Sequence, residues 1–275
     1  MLLFLFAAPR PVLAQCADGD FPGKDGPAAA PSRPVESSSP DPVQTGVAET
    51  ELGMSRSWVT STTSQYGLTN LIKLGVWCNV EVRWSVNSFV SNTISSTTNS
   101  GLGDNFLTGQ YRFHRESASL PSIAVGYTVK FPSANSLTGL GSGHVDHMVM
   151  LMFGKTVKKF SIVVNANVFA IGVGNGQYDR KNEWTLEVSR PIKGRWGVIG
   201  EVYYDSHLNS ANSAFGNSTW GLTYTVNPRM VFDAGAYVGL SHGTGVPGNS
   251  VFVGISYALG SLYHRPSRIP HPVEQ

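Results

Sequence analysis

Apolar and polar residues alternate along most of this chain, and this period of two is the feature that most restricts its fold. In NEWTLEVSRPIKGRWGVIGEVYYDS, for example, Trp184, Leu186 and Val188 alternate with Glu183 and Glu187. Successive side chains of a strand point to opposite sides, so such a segment has one apolar face and one polar face. The apolar faces must therefore meet either a protein core or the hydrocarbon of a membrane.

The alternation returns in segment after segment, separated by clusters of Gly, Asn and Ser, whereas no helical period of similar strength appears. We predict strands at residues 45–54, 65–74, 80–90, 102–113, 121–131, 146–156, 160–172, 182–192, 196–206, 218–226, 231–240 and 250–259. Each is close to the ~9 to 11 residues that a tilted strand needs to cross a bilayer.

The connections between these segments alternate between short and long. The short ones are GVWCN, HRESASL, VKK, KGR and NPR, and the long ones are SNTISSTTNSGLG, PSANSLTGLGSGHV, GNGQYDRK, HLNSANSAFGN and SHGTGVPGN. Bacterial single-chain barrels have short periplasmic turns and longer outer loops, whereas a soluble sandwich has no reason to sort its loops by length. The sequence therefore predicts an all-β fold, a transmembrane antiparallel β-barrel of about 12 strands and of the outer-membrane type. One rim would be basic, because the short turns hold Lys158, Lys159, Lys193, Arg195 and Arg229.

Composition agrees with a membrane-embedded barrel. Charged residues make up 14% of the chain, against about 25% in soluble domains. No window approaches the ~20 apolar residues of a membrane-spanning helix. A mean hydropathy near zero fits strands whose lipid-facing and lumen-facing residues average out. The net charge of +2 gives no reason to expect a nucleic acid as partner.

The two ends of the chain differ in composition from the alternating region. The opening MLLFLFAAPRPVLAQ, residues 1–15, is typical of a signal peptide, with an apolar run and a small-residue cleavage site. Residues 16–42 are rich in Pro, Ala and Ser and are predicted to form a disordered periplasmic lead-in. The barrel would then occupy residues 43–260, and a short C-terminal tail residues 261–275.

The chain has only two cysteines, Cys16 and Cys78. Because Cys16 would follow the cleavage site and lie near a flexible amino end, we do not expect a structural disulfide. Lipidation of Cys16 is an alternative, but Gln15 occupies a position where a lipobox has a small residue.

The period of two also assigns each strand residue either to lipid or to the lumen. In NVEVRWSVN, Val82 and Trp84 would face lipid, while Glu81 and Arg83 would face the lumen. The six tryptophans fall mostly near predicted strand ends, as an aromatic girdle at the membrane interface requires.

Charged side chains from several strands are predicted to line one interior. They are Glu81, Arg83, Arg112, Lys130, Glu183, Glu187, Glu201 and Asp233. Isolated charges are too costly to persist without water or partners. Two interpretations remain open, and they can hold together: a ladder of lumen salt bridges that fixes the register, or a polar conduit whose charges orient a permeating solute.

Several segments resemble an outer-membrane family named for the meta-pathway of phenol degradation. They are LIKLGVWCNVEVRWSV, GLGDNFLTGQYRF, PSIAVGYTVKFPS, WGLTYTVNPRMVFDAGAYVGL and VFVGISYAL, and the resemblance runs over roughly residues 42–259. Its most specific pieces are Glu81-Val-Arg83, Gly101-Leu-Gly103-Asp104, Lys130-Phe-Pro132 and Asp233. The chain departs from the family in its long Pro/Ala-rich leader and in the tail GSLYHRPSRIPHPVEQ, where a barrel commonly ends on an aromatic residue.

This resemblance implies a barrel in the outer membrane of a Gram-negative cell that passes small hydrophobic or aromatic compounds passively. Its partners would be outer-membrane lipid, such a solute and the barrel-assembly machinery, with no cofactor and no nucleic acid. The main rival interpretation is a structural or surface-interaction barrel with a plugged lumen.

An enzymatic alternative comes from DSHLNSANS, which is similar to the Ser/His/Asn set of outer-membrane phospholipase A, another barrel of about twelve strands. Here Asn209 and Ser210 follow His207 in inverted order, and no Gly comes after them. A nucleophile needs its base within hydrogen-bond reach and an oxyanion donor nearby, which a loop rich in Asn and Ser does not ensure. We therefore predict no enzymatic activity.

Two further motifs lack the context that their chemistry needs. GHVDH could hold a metal through His144, Asp146 and His147 if the loop folded back on itself, but such groups at loop ends are more often solvated. IGVGNG lies between strands, with no helix after it to complete a phosphate-binding loop. The sequence therefore predicts neither a metal site nor a nucleotide site.

Overall fold

The computed structural model describes residues 16–60, 62–207, 214–241 and 248–262. Its strands, in chain order, are β1 (Val47–Thr60), β2 (Thr63–Trp77), β3 (Val80–Ile94), β4 (Thr97–Gly101), β5 (Asn105–His114), β6 (Ser122–Phe131), β7 (Asp146–Val157), β8 (Phe160–Gly174), β9 (Gln177–Lys193), β10 (Trp196–Asp205), β11 (Phe215–Asn227), β12 (Met230–Gly239) and β13 (Ser250–Ser261). Two 3-10 turns occupy Asp18–Asp20 and Ser136–Thr138. In this part of the chain no helix is long and apolar enough to cross a membrane.

The strands form one closed antiparallel sheet. Neighbours in sequence pair with one another, and β1 pairs with both β2 and β13, which closes the ring. β4 pairs only with the end of β3, whereas the first half of β3 pairs with β5. Twelve strands therefore form the wall, and β4 extends one hairpin beyond it. The predicted antiparallel barrel of about twelve strands is confirmed, and closure leaves the wall no unpaired edge.

Two predicted outer loops are instead strand hairpins. The segment SNTISSTTNSGLG continues β3 to Ile94 and returns as β4. In GNGQYDRK, β8 and β9 meet at a two-residue turn in which Asn175 has φ 51° and Gly176 has φ 71°. Asn-Gly with positive φ at both positions is the turn that matches the twist of a hairpin, and the polar composition hid this strand signal.

The outer face of the barrel is apolar, as the alternation predicts. Trp184 is 57% exposed whereas its neighbour Glu183 is 9% exposed, and Val202 is 45% exposed whereas Glu201 is 2% exposed. All six tryptophans point outward, but Trp84, Trp184 and Trp220 lie inside their strands and not at the ends. The prediction that tryptophans fall mostly near strand ends is thus wrong for half of them, because the strands are longer than predicted.

The barrel wall runs from Val47 to Ser261, within a few residues of the predicted boundaries. The end that carries the short turns is called the periplasmic end below, since short turns mark that side in bacterial barrels. Its turns include Cys78, Lys158, Lys159, Arg195 and Arg229. The predicted signal peptide, residues 1–15, and residues 263–275 of the predicted tail lie outside the described residues.

The prediction of a disordered lead-in at residues 16–42 is wrong. The structure orders this part of the chain, and residues 28–44, called the plug segment below, cross the lumen and return to β1. Composition predicts that such a segment cannot bury enough apolar surface to order itself. The barrel orders it by another route, since polar groups of the wall bind its backbone.

The prediction that no structural disulfide forms is also wrong. Cys16 is bonded to Cys78, in the turn between β2 and β3, with Cα atoms 5.3 Å apart. The expectation failed because it assumed a free amino end, whereas the residues after Cys16 are bound to the barrel, as when Asp20 pairs with Arg112. Its bonded sulfur also leaves no free thiol for lipidation in this state.

Candidate functional site: a lumen filled by the plug segment

The structure places the predicted lumen residues on the inner face of the wall. Those that are less than a tenth exposed are Glu81, Arg83, Arg112, Glu183, Glu187, Glu201 and Asp233. The side chain of Lys130 is 12% exposed. The period of two positions all of them, because each lies on a strand whose alternate residues face lipid.

Strands β9 and β10 form an acidic wall. Glu187 lies directly opposite Glu201, and Glu183 lies directly opposite Asp205. Like charges in opposed positions destabilise a sheet, so this arrangement requires compensating groups. Glu183 and Asp205 lie farther from the periplasmic end and are called the outer pair. The wall compensates them: Lys181 Nζ lies 2.6 Å from Asp205 and 3.6 Å from Glu183, and the amide of Asn167 donates to Glu183 at 2.7 Å.

The other pair, Glu187 and Glu201, is called the inner pair, and the plug segment supplies donors to it. The backbone N–H groups of Glu36 and Ser37 donate to the two oxygens of Glu201 at 2.9 and 2.7 Å. The hydroxyl of Ser37 donates to Glu187 at 2.8 Å. These donors carry no formal charge, but hydrogen bonds to a carboxylate are about twice as strong as bonds between neutral groups.

The same device recurs on β1. The N–H of Ala30 donates to Glu49 at 2.7 Å, and the N–H of Ser32 donates to Glu51 at 2.8 Å. Lys73 lies between the two carboxylates, with Nζ 2.7 Å from Glu49 and 2.6 Å from Glu51. An extended segment has no internal partners for its N–H groups, so the wall carboxylates satisfy donors that would otherwise be orphaned.

The opposite side of the lumen binds the plug segment through cations and amides. Arg112 forms ion pairs with Asp41 at 2.7 Å and with Asp20 at 2.9 Å. Arg83 pairs with Glu81 and donates to the hydroxyl of Ser38 at 3.1 Å. Acidic and basic sides of the barrel therefore hold one segment between them.

Glycines of the wall make room for the plug segment. A Cβ added to Gly154 would lie 2.7 Å from Pro40, and one added to Gly221 would lie 2.7 Å from Pro34. Gly53 also faces the plug, where any side chain would collide with the guanidinium of Arg33. A glycine inside a strand often marks close approach of another backbone, and these positions are the sequence signal that could have located the plug.

A second signal was the charge balance of the predicted lumen set. It contains five carboxylates, Glu81, Glu183, Glu187, Glu201 and Asp233, against three cations, Arg83, Arg112 and Lys130. Buried charges need partners, so the excess of carboxylates implied donors from outside the set. The structure supplies Arg33, which pairs with Asp233 at 3.5 Å, and the backbone amides of the plug.

Two adjacent cavities lie around the plug segment. One, of about 860 Å³, opens at the periplasmic end. The other, of about 290 Å³, lies between the plug and the wall. Both are lined by Pro31, Arg33, Glu187 and Ile199, so they lie next to each other beside the plug.

The residues of the weighed metal motif do not converge. Asp146 faces inward and pairs with Lys130, whereas the adjacent His147 faces outward and accepts or donates a bond with Tyr127 at 2.7 Å. In the described residues no group of three or more metal-binding side chains comes together. Of the hydrolase motif, His207 lies 3.3 Å from Asp179, while Asn209 and Ser210 lie outside the described residues.

Residues 31–249 match the sequence profile of a family described as "Putative MetA-pathway of phenol degradation". The chain belongs to this family. Membership in the MetA-pathway family confirms the resemblance that the strand motifs suggested, over nearly the same residues. No match was found among curated proteins.

Solved outer-membrane barrels share the fold of this MetA-pathway family member. The COG4313 outer membrane channel from Pseudomonas putida F1 is similar with a TM-score of 0.62 at 10% identity, covering 82% of this chain and 100% of that one. The NanC porin is similar with a TM-score of 0.53 at 15% identity, covering 77% of this chain and 100% of that one. At these identities the likeness establishes an outer-membrane β-barrel fold and no more.

Proposed function

We propose that this chain is a passive conduit of the outer membrane for small hydrophobic or aromatic solutes. The observation that carries the proposal is the way in which the lumen is filled. The plug segment fills the lumen without being part of the wall, and hydrogen bonds and ion pairs hold it to the wall. Each such bond is made to a charged group and contributes about 1.5–3 kcal/mol net, less than it would without solvent because water can replace it. The segment can therefore shift while the closed ladder of the wall stays intact.

Family membership and the nature of a protein with a similar fold support the same function. The family is described by a pathway of phenol degradation, and the Pseudomonas putida protein is described as an outer membrane channel. Aromatic ring compounds of that kind are small enough for a cavity of about 290 Å³ at the lower end of ligand sites.

The plug segment offers apolar surface inside the polar wall. Pro31, Val35 and Pro42 line the smaller cavity, together with inward-facing Val163 and Ile199 of the wall. A solute without charge could rest on these groups while wall carboxylates keep their own partners. Solute selection would then depend on the plug segment as much as on the strands.

Conductance of the purified protein in planar bilayers tests the proposal. We expect a small conductance for the unmodified chain and a larger one for Gly154→Val, whose added side chain meets Pro40 and leaves the strand pairing unchanged. Gly109→Val is the matched control, because nothing lies within 4 Å of a Cβ at that position. No conductance from any of the three, together with normal solute uptake in a deletion strain, would refute the conduit.

A plugged structural barrel is the second candidate, and the tethering of the plug favours it. Residues 17–46 are fixed covalently at both ends, by the Cys16 to Cys78 bond and by continuity with β1. On this alternative, Gly154→Val would weaken the barrel without creating conductance. The same bilayer recordings therefore separate the two functions.

The proposal includes the absence of hydrolytic activity. His207 is engaged by Asp179 at 3.3 Å and by the hydroxyl of Ser206 at 3.1 Å. Esterase or phospholipase activity that is present in the purified chain and lost in Ser210→Ala would contradict this part of the proposal.

A further inference from the structure

The periplasmic cavity of about 860 Å³ has two chemically different parts. Its inner part contains an apolar surface, formed by Ile199 and Val231 of the wall and by Pro31 of the plug segment, beside hydroxyl groups such as those of Thr223 and Thr225. Its outer part is formed by the turns between β7 and β8 and between β9 and β10, which carry Lys158, Lys159 and Arg195. The volume lies within the range of about 300–1,000 Å³ that is typical of small-molecule sites.

The charges that line this cavity are unbalanced. Five cationic side chains line it, Arg33, Lys158, Lys159, Arg190 and Arg195, against one carboxylate, Glu187. Three of these six are already occupied: Glu187 accepts from Ser37, Arg33 pairs with Asp233, and Arg190 lies 5.1 Å from the centre of the Phe160 ring.

The remaining cations have no such partner. Across the described residues, no carboxylate lies within ion-pairing distance of Lys158, Lys159 or Arg195. Lys155, near the end of β7 at the same rim, differs from them because it forms an ion pair with Glu116 at 3.5 Å. The N–H of Thr156 donates to Glu116 at 2.9 Å and lowers its pKa, which keeps that carboxylate charged.

We propose that this cavity binds small organic anions with an apolar body, such as aromatic or short aliphatic carboxylates, at the periplasmic end of the barrel. The apolar body would rest on Ile199, Val231 and Pro31, and the carboxylate would face Lys158, Lys159 and Arg195. Cations of one sign around a concave, low-dielectric wall concentrate anions there. As a binding site at the periplasmic end of a conduit, it rests on the proposed function. An anion can nevertheless bind there without being transported.

Equilibrium binding to the intact protein in a neutral detergent tests the site, with benzoate as the probe. Benzyl alcohol is the matched neutral probe, and inorganic phosphate is the matched anion without an apolar body. We expect benzoate to bind at least about tenfold more tightly than either, and its binding to weaken as salt is raised, because both parts of the cavity contribute. Equal binding of phosphate and benzoate would overturn the proposal, because a bare cationic patch would explain it.

Substitution at the rim supplies the second test. In the triple variant Lys158→Gln, Lys159→Gln, Arg195→Gln we expect benzoate binding to fall by about tenfold or more. Lys193→Gln is the matched control, since Lys193 lies in the same turn region but does not line the cavity. Equal binding by the triple variant and the control would also overturn the proposal. If the triple variant did not assemble, the comparison of three probes on the unmodified chain would still decide.

Failure of this site and failure of the conduit give different results. Conductance without benzoate binding would leave the conduit standing and remove the anion site. Benzoate binding without conductance in any variant would leave the site standing on a plugged barrel.

Discussion

The lumen has an inner half around Glu187 and Glu201, nearer the periplasmic end, and an outer half around Glu183 and Asp205. The two halves compensate their buried carboxylates in different ways. Both contain acidic side chains on β9 and β10 that face each other across the strand pair. In the outer half the wall itself compensates them, through Lys181. In the inner half backbone amides and a hydroxyl of the plug segment do so. The carboxylates of the inner half therefore depend on donors from the plug segment, which does not belong to the barrel wall.

The largest expected effect is loss of barrel assembly, which affects both halves of the lumen. Val202 is exposed on the lipid face, between inward-facing Glu201 and Tyr203. Val202→Arg places a charge in hydrocarbon at a cost of about 2–4 kcal/mol near the bilayer midplane, so we expect loss of assembled protein from outer membranes. Heat-dependent gel mobility measures assembly, and Val202→Leu is the control. Normal assembly of the Arg variant would mean that this face does not meet lipid.

The next largest effect should strike the inner half alone. The double variant Cys16→Ser, Cys78→Ser removes a disulfide between residues 62 positions apart in sequence. The chain-entropy model assigns such a bond a stabilisation of up to about 4 kcal/mol. We expect the barrel to assemble and residues 17–46 to become sensitive to protease added from the periplasmic side. Protection equal to that of the unmodified chain would show that the noncovalent contacts hold the plug by themselves.

Removal of one cation from each half sharpens the comparison. Arg112→Gln removes one partner of Asp20 and of Asp41, at a cost of up to about 3 kcal/mol, reduced because Asp41 is half exposed and Asp20 keeps its ion pair with Arg115. Lys181→Gln removes the cation shared by Glu183 and Asp205, while Asn167 still donates to Glu183. We expect periplasmic protease to cut the plug in the first variant and not in the second. Equal cleavage in both would mean that the two halves are coupled.

A steric change tests the plug without altering charge. Gly154→Val adds volume that meets only Pro40, and overpacking of this kind costs about 1–3 kcal/mol. We expect lower thermal stability of the assembled barrel and greater protease sensitivity of the plug segment. Gly109→Val should change neither quantity, since open space surrounds that position.

The smallest effect concerns the acidic wall. Glu201→Gln keeps one oxygen for the N–H of Ser37, replaces the oxygen that accepts from Glu36 by an NH2 group, and removes one of two opposed charges. We expect assembly to be unchanged and the ratio of cation to anion permeability in bilayers to fall by about a few fold. A variant with unaltered selectivity would place the ion path away from β9 and β10.

The barrel wall of this protein can be predicted from the order of its residues alone. A period of two needs only neighbouring residues, so it predicted the strands, the lipid face at Val202 and the inward position of Glu201 before any contact was known. Family motifs along the same strands indicated the same outer-membrane barrel, and the sequence profile confirmed it. The lengths of the strands were less well predicted, because polar hairpins such as Asn175-Gly176 lack the apolar half of the pattern.

The segment that fills the barrel is positioned by contacts between residues distant in sequence. Residues 28–44 carry almost no local signal, because their order comes from carboxylates on strands that are distant in sequence, as when Ser37 binds Glu201 across 164 positions. The bond between Cys16 and Cys78 likewise depends on where the chain enters the barrel. Local pattern fixes which way a side chain points, whereas the partner that satisfies a buried charge is a property of the closed lumen.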